Sequence, residues 1–366
     1  MKNVILFLLI LGISFSFSIS FEYPYLYRDY RALGMGNAFN AVGGSFSSVF
    51  YNPAGLTNLK EEEGFYVNLL PITVSANNNA FNVINDVRRA INSKDETQIF
   101  NTIKKYRGEV IHAYLSIFPS LALKKGSTAF GFGVLLSGKL NGVLHHGGGS
   151  EGLFELENIA YGSPIVGFSY DRKNISFGGS LKYIIASGIN NTFRISEVTS
   201  PNFDLGNYIK YGSDFSLDLG VLYKFESRGN IYPQIGLSLM NITNIYVKDV
   251  IYIPMTANVG LSLRSSSDSG ILREWTIGAD YVDIFMAFED KDILKRIRVG
   301  AEGKILSGKA GSIVLRGGIY GGQLTAGVEF NLLIFTIAYT TYAEELGARA
   351  FQNGDRRHIL YINAGW

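Results

Sequence analysis

Beyond residue 62 the chain alternates between apolar and polar positions. Asp214, Ser216, Asp218, Gly220, Lys224 and Glu226 share one face, broken only by Leu222. Phe215, Leu217, Leu219, Val221, Tyr223 and Phe225 share the other. Successive side chains of a strand point to opposite faces, so this stretch has one unbroken apolar face and one charged face. The split recurs at Arg296, Arg298, Gly300, Glu302 and Lys304 against Ile297, Val299, Ala301 and Ile305. It recurs again at Ser176, Gly178, Ser180 and Lys182 against Ile175, Phe177, Leu181 and Tyr183. One such strand fits either a soluble sandwich or the lipid-out, water-in wall of a membrane barrel.

Number and spacing favour the barrel. About 14 strands can be placed, at 63–76, 109–124, 126–144, 153–170, 173–190, 208–226, 231–246, 252–265, 271–288, 293–306, 311–319, 322–330, 332–342 and 357–366. Short turns such as Asp171-Arg172 and Asn331 alternate with longer connections such as 77–108, 191–207 and 343–356. An even number of strands, with short turns at one end and long loops at the other, is how outer-membrane barrels are built. The longest loop has structure of its own. Ile84, Val87 and Ile91 lie at helical spacing, Ser93 and Glu96 read as a capping box, and Ile99, Ile103 and Tyr106 continue a second stripe before Gly108. This predicts a helical hairpin over 80–107 on the outer rim.

The two ends differ from the wall. Lys2 and Asn3 precede an apolar run from Val4 to Ile13, and Ser18 and Ser20 supply small residues, so 1–20 reads as a signal peptide cleaved before Phe21. In residues 29–60, small residues and short apolar clusters lack a period of two, which predicts short helical turns, with Pro53 opening one. Irregular backbone at membrane depth is tolerated only inside protein or beside water. Residues 21–62 are therefore expected to form a small helical hatch in the lumen of a barrel spanning 63–366. The last strand ends on Trp366, an aromatic carboxy-terminal residue.

Two segments carry a family resemblance: Leu33-Gly34-Met35-Gly36-Asn37-Ala38-Phe39 and Tyr51-Asn52-Pro53-Ala54-Gly55-Leu56. This pattern resembles the FadL superfamily of outer-membrane proteins, with FadL-like and PorV-type branches nearest. The resemblance marks Gly34, Gly36, Phe39, Asn52, Pro53, Ala54 and Gly55 as the hatch motif. It implies a 14-stranded barrel with a luminal hatch and passive uptake of hydrophobic compounds such as long-chain fatty acids. For PorV-type relatives it implies a secretion or surface-attachment role instead. Trp366 is similar to the carboxy-terminal signal by which the barrel-assembly machinery recognises its clients.

Composition narrows the remaining chemistry. Charged residues are 17% and aromatics 13%, with 42 glycines, which suits aromatic girdles and strands that bend. A net charge of +2 gives no basic surplus for nucleic acid, and zero cysteines exclude disulfides, thiolate metal sites and a lipoprotein anchor. No metal site or cofactor is expected. Gly34-Met35-Gly36 lacks the third glycine of a dinucleotide loop, His145 and His146 lack supporting ligands and read as a loop, and no G-x-S-x-G element occurs. The protein is not expected to be an enzyme. Lys182, Asp214, Asp218, Arg298, Glu302, Arg316 and Glu329 should face inward and pair with one another and with the hatch. Outer-membrane lipids are the expected surroundings, and a hydrophobic small molecule the expected ligand. Transport, secretion partnership and a structural or adhesive role stay open.

Overall fold

A computed structural model describes residues 22–60, 64–93, 95–106, 108–146, 152–198, 200, 202–267, 270–288, 290–308 and 311–365. The expected signal peptide and Trp366 lie outside them.

The chain forms a closed antiparallel barrel of 14 strands. Two barrel strands are interrupted. Phe65–Asn68 (β1) and Ile72–Asn77 (β2) form the first, and Val110–Ile117 (β3) and Ser120–Lys125 (β4) the second. Pro71 and Pro119 lie at the breaks, where a missing N–H removes a ladder bond. Between the two arms of the first strand the register with both neighbours slips by one residue, leaving a bulge at Leu69–Pro71. The wall continues through Thr128–His146 (β5), Gly152–Arg172 (β6), Ile175–Arg194 (β7), Lys210–Lys224 (β8) and Ile231–Met240 (β9). It resumes with Thr256–Ser266 (β12), Leu272–Tyr281 (β13), Ile297–Gly308 (β14), Gly311–Tyr320 (β15), Gln323–Leu332 (β16), Phe335–Glu345 (β17) and Gly354–Ala364 (β18). β18 pairs with β2, and β5 with β6, which closes the ring.

Each strand of the sequence reading corresponds to one barrel strand, with shifted ends. His145 and His146, expected in a loop, extend β5. The segments expected at 231–246 and 252–265 stop short of each other. Between them Ile245–Val247 (β10) and Ile251–Ile253 (β11) form a separate hairpin. Ile245, Val247 and Ile253 are buried beneath it, whereas Tyr246 and Tyr252 stay exposed. The hairpin thus roofs part of the lumen. The strand expected to reach residue 288 ends at Tyr281, because Asp283 turns the chain at φ +52° and caps the amides of Ala287 and Phe288.

The outer face is apolar, with Leu136, Leu181, Phe215, Leu261 and Leu360 exposed where lipid would lie. Ser180, Lys182, Asp218, Arg298 and Arg316 are buried on the inner face. The rim hairpin is Ala80–Ser93 (α2) and Glu96–Lys105 (α3), α1 being Tyr30–Gly34 in the amino-terminal segment. Ser93 is not the expected cap: it ends α2, and Asp95 caps α3 by accepting from Thr97 N at 2.8 Å.

Candidate functional site

Residues 22–60 fill the lumen. α1 is capped by Asp29, which accepts from Ala32 N at 2.8 Å. Two 3-10 turns follow, Phe46–Phe50 and Pro53–Asn58. Pro53 sits at the start of the second, where its missing N–H costs nothing, and Asn52 caps it.

The wall admits this segment because its inner face is glycine at the level of contact. Gly178 pairs with Gly220, Gly236 with Gly260, and Gly278 with Gly300, which pairs with Gly318. A Cβ at Gly318 would lie 2.5 Å from Gly36 N, one at Gly236 2.6 Å from Asn40 O, and one at Gly278 2.9 Å from Ala38 O. Cβ atoms at Gly300 and Gly178 would overlap the backbone of Met35 and Ala54. The glycines read from sequence as places where strands bend therefore form a belt against which hatch backbone lies.

Within the hatch, the two halves of the motif pack on each other. Gly43 and Gly55 touch, and Gly44 N donates to Gly55 O at 3.0 Å. Gly36 has φ +61°, and Thr325 accepts from its N–H at 3.0 Å while donating to Gly34 O at 3.1 Å. Gly34 lies against the Arg316 stem. Phe39 is buried against Tyr51 and under the Arg31 guanidinium. The Asn52 amide donates to Asn40 O at 2.9 Å and reaches Val221 O and Leu237 O, tying the motif to β8 and β9. Ala54 packs with Ala41 and Leu222. Leu222, the apolar interruption on a charged face, is thus a contact for the hatch.

The wall charges fall into separate groups. Lys182 pairs with Asp218 at 2.7 Å, and Asp218 also accepts from Ser180 and Asn241 N. Arg316 bridges Glu302 at 3.0 Å and Glu329 at 2.7 Å, and Arg31 of the hatch joins Glu302 at 2.5 Å. Arg298 donates to Tyr25 and lies within 5.4 Å of the Tyr23 and Tyr320 rings. Asp214 stands apart at the rim, where it accepts from Tyr246 N and holds the roof hairpin. The sequence reading missed Arg28, paired with Glu22 and Glu344, and Asp280, which accepts from Phe39 N at 2.7 Å and Asn40 N at 2.8 Å. Buried pairs of this kind contribute little net stability, but losing one partner is costly. They fix where the hatch sits.

The other side of the lumen is apolar, which the sequence reading did not anticipate. Leu135 of β5, Tyr161 and Ile165 of β6, and Ile184 of β7 form one buried cluster with Leu26, Tyr27, Phe46 and Val49 of the amino-terminal segment. The roof hairpin closes it above through Ile245, Val247 and Ile253. One signal was available: Ile184-Ile185 places apolar side chains on both faces of a strand whose inner face is elsewhere polar. Beside this sector β6 and β7 lose their ladder pairing at Ser163 and Pro164, opposite Tyr183 and Ile184.

Cavities flank the site among the described residues. One of about 60 Å³ lies between the Tyr23–Tyr27 arm and the wall at Lys182, Asp280 and Arg298. Another of about 300 Å³ lies on the outer face of the wall, beneath α2, lined by Ile84, Val87, Ile111, Leu140, Phe154 and Leu156 with Arg88 at its edge. No group of metal-ligating side chains occurs among the described residues.

A closed strand wall with an apolar outer face, an inner face part charged and part apolar, and a luminal hatch define a hatch-plugged membrane β-barrel. Among solved structures, the monoaromatic hydrocarbon channel CymD superposes with a TM-score of 0.52 at 10% identity, over 94% of this chain and 98% of CymD. The Pseudomonas putida toluene transporter TodX gives 0.49 at 12% identity, over 91% and 96% of the two chains. A Pseudomonas aeruginosa FadL homologue gives 0.42 at 9% identity, over 95% and 99%. The fold shared with CymD is the one implied by the resemblance of the hatch motif to the FadL superfamily. No family model and no curated protein matches the chain.

Proposed function

We propose that this protein is a passive outer-membrane channel for hydrophobic compounds, made as a precursor whose first 20 residues are removed. The observation that carries the reading is the apolar sector on the inner faces of β5, β6 and β7. A lumen that served only water-soluble traffic would have no use for it, and water would hydrate it poorly. The groove beneath α2 is a capture site at the outer rim, and Arg88 beside it suits a carboxylate headgroup such as that of a fatty acid. Leu140, Phe154 and Leu156 lie on the outer faces of β5 and β6, opposite to Leu135, Tyr161 and Ile165, so a ligand captured there has to cross the rim before it meets the apolar sector, which it enters once the Tyr23–Tyr27 arm shifts. The interrupted seam at Pro164, where two ladder pairs are missing, offers a sideways exit into lipid. Toluene and monoaromatic hydrocarbons are the cargo named for TodX and CymD, which is consistent with a small apolar ligand.

The test is uptake of a fluorescent hydrophobic probe by cells carrying Ile165→Asn or Ile184→Asn, each checked for heat-modifiable migration on gels. Assembled barrels with reduced uptake support the channel. Assembled barrels with normal uptake count against it, and stable co-purification of envelope proteins would then move the assignment to a secretion partner.

A further inference from the structure

The inner wall of β18, β2 and β3 belongs to neither the charged nor the apolar sector. Its side chains are mostly uncharged and polar, and several lack partners. Thr73 Oγ1, Ser75 Oγ, Ser116 Oγ, His112 Nε2 and Asn363 Oδ1 have no hydrogen-bond partner among the described residues. None of these five residues is more than 6% exposed. Register sets Thr73 between Ser116 and Tyr361, with Ser75 two positions further along β2. The unpartnered groups therefore form one stripe along three adjacent strands. Buried polar groups in folded proteins are nearly always bonded to protein or to ordered water, so a stripe without protein partners is a surface that water or a solute hydroxyl can satisfy.

The stripe is bracketed by the arm at residues 22–30. Glu22 accepts from Arg357 at 3.1 Å on one side and from Asn141 at 2.8 Å on the other. Tyr30 stacks on Tyr361 with ring centroids 4.0 Å apart, and Tyr27 meets Phe118 at 5.2 Å. Arg28 fastens the arm to Glu344. The arm is held at its charged points, while the hydroxyls between them stay unpaired.

We propose that this stripe is the wall of a second path, a hydrated lane for small uncharged hydroxylated solutes, which opens when the arm lifts. Water or a solute hydroxyl then bonds to Thr73, Ser75, Ser116 and the free nitrogen of His112. The path lies on strands other than the apolar sector, so it stands whether or not hydrophobic compounds use that sector.

The experiment is liposome swelling in glycerol and erythritol with the full mature chain. Arg28→Gln releases the arm from Glu344 of the wall and removes the bond to Glu22 within the arm. In that background Thr73→Val, Ser75→Ala and Ser116→Ala remove three hydroxyls, and Thr73→Ser retains one as a control. Heat-modifiable migration verifies assembly of each variant, and Thr73→Val alone replaces the triple variant if the latter does not assemble. Arg28→Gln is expected to swell several-fold faster than the native protein. Loss of the hydroxyls should return the rate towards the native one, Thr73→Ser should preserve it, and neither change should alter the hydrophobic-probe uptake of the Arg28→Gln background. Swelling of Arg28→Gln no faster than native overturns the proposal. So does a rate that ignores the hydroxyls, or one that falls together with probe uptake.

Discussion

Replacing Lys182 by methionine removes one half of a pair that is almost completely enclosed. The Lys182 side chain is 2% exposed and the Asp218 side chain 0%, with 2.7 Å between Nζ and the carboxylate. Methionine fills much of the same space, so the variant isolates the charge. Asp218 keeps its bonds from Ser180 at 2.5 Å and Asn241 N at 2.7 Å, but its negative charge is left uncompensated in an enclosed setting. Breaking a buried pair from one side costs about 3–5 kcal/mol. Lys182 also lies 5.3 Å from the Phe50 ring of the hatch, and losing that contact adds roughly 0.5–2 kcal/mol. The double variant Lys182→Met with Asp218→Asn removes both charges. The asparagine amide still accepts from Asn241 N and can donate to Ser180. It should recover most of the loss, to within about 1–2 kcal/mol of the native protein. Urea unfolding in detergent micelles, followed by tryptophan fluorescence and by gel mobility, measures all three proteins. A Lys182→Met variant as stable as native would mean that water reaches the pair, and the picture of a closely packed lumen would fail there.

Gly318→Ala should push Gly36 away from β15 and loosen the hatch, at about 1–3 kcal/mol for overpacking; limited proteolysis of residues 22–60 in otherwise heat-modifiable barrels checks this, and unchanged protection would deny the glycine belt its role. On the rim, the Lys105 ammonium and Tyr106 hydroxyl bonded to Asp86 hold its carboxyl down at about 2. Because that value is depressed, the stabilising contact is fully present above the ordinary carboxylate range and is lost as pH falls towards about 2. Protease protection of α2 and α3 should therefore hold at pH 4 to 5, and Asp86→Asn should lower it at neutral pH; native protection that collapses near pH 5 would exclude this linkage.

The wall was legible because lipid and lumen impose opposite demands on alternate residues, as at Asp214–Glu226. The rim hairpin was legible from its two apolar stripes, although Asp95 rather than Ser93 caps its second helix. What alternation cannot reveal is what touches the inner face. Glycine at 300 or 318 looks like a bend until Met35 and Gly36 are placed against it. Ile165 and Ile184 look like ordinary apolar wall residues until their burial beside Val49 is known. The hatch motif was visible, but Asp280 holding the amides of Phe39 and Asn40 joins positions more than 200 residues apart. Such contacts leave no local periodicity. The roof hairpin escaped for a related reason: Ile245 and Val247 continue the alternation of β9 after the chain has left the wall.

The channel account requires the amino-terminal arm to move, and locking it tests that requirement directly. The rings of Tyr23 and Phe288 lie 4.1 Å apart, joining the arm to the loop after β13, and the native chain has no cysteine. In a Tyr23→Cys, Phe288→Cys variant, a short, reducible thiol cross-linker should join arm and loop. Uptake of a hydrophobic probe by reconstituted protein should stop when the cross-link forms and return when it is reduced, with gel mobility unchanged throughout. Undiminished uptake in the fully cross-linked protein would contradict the account.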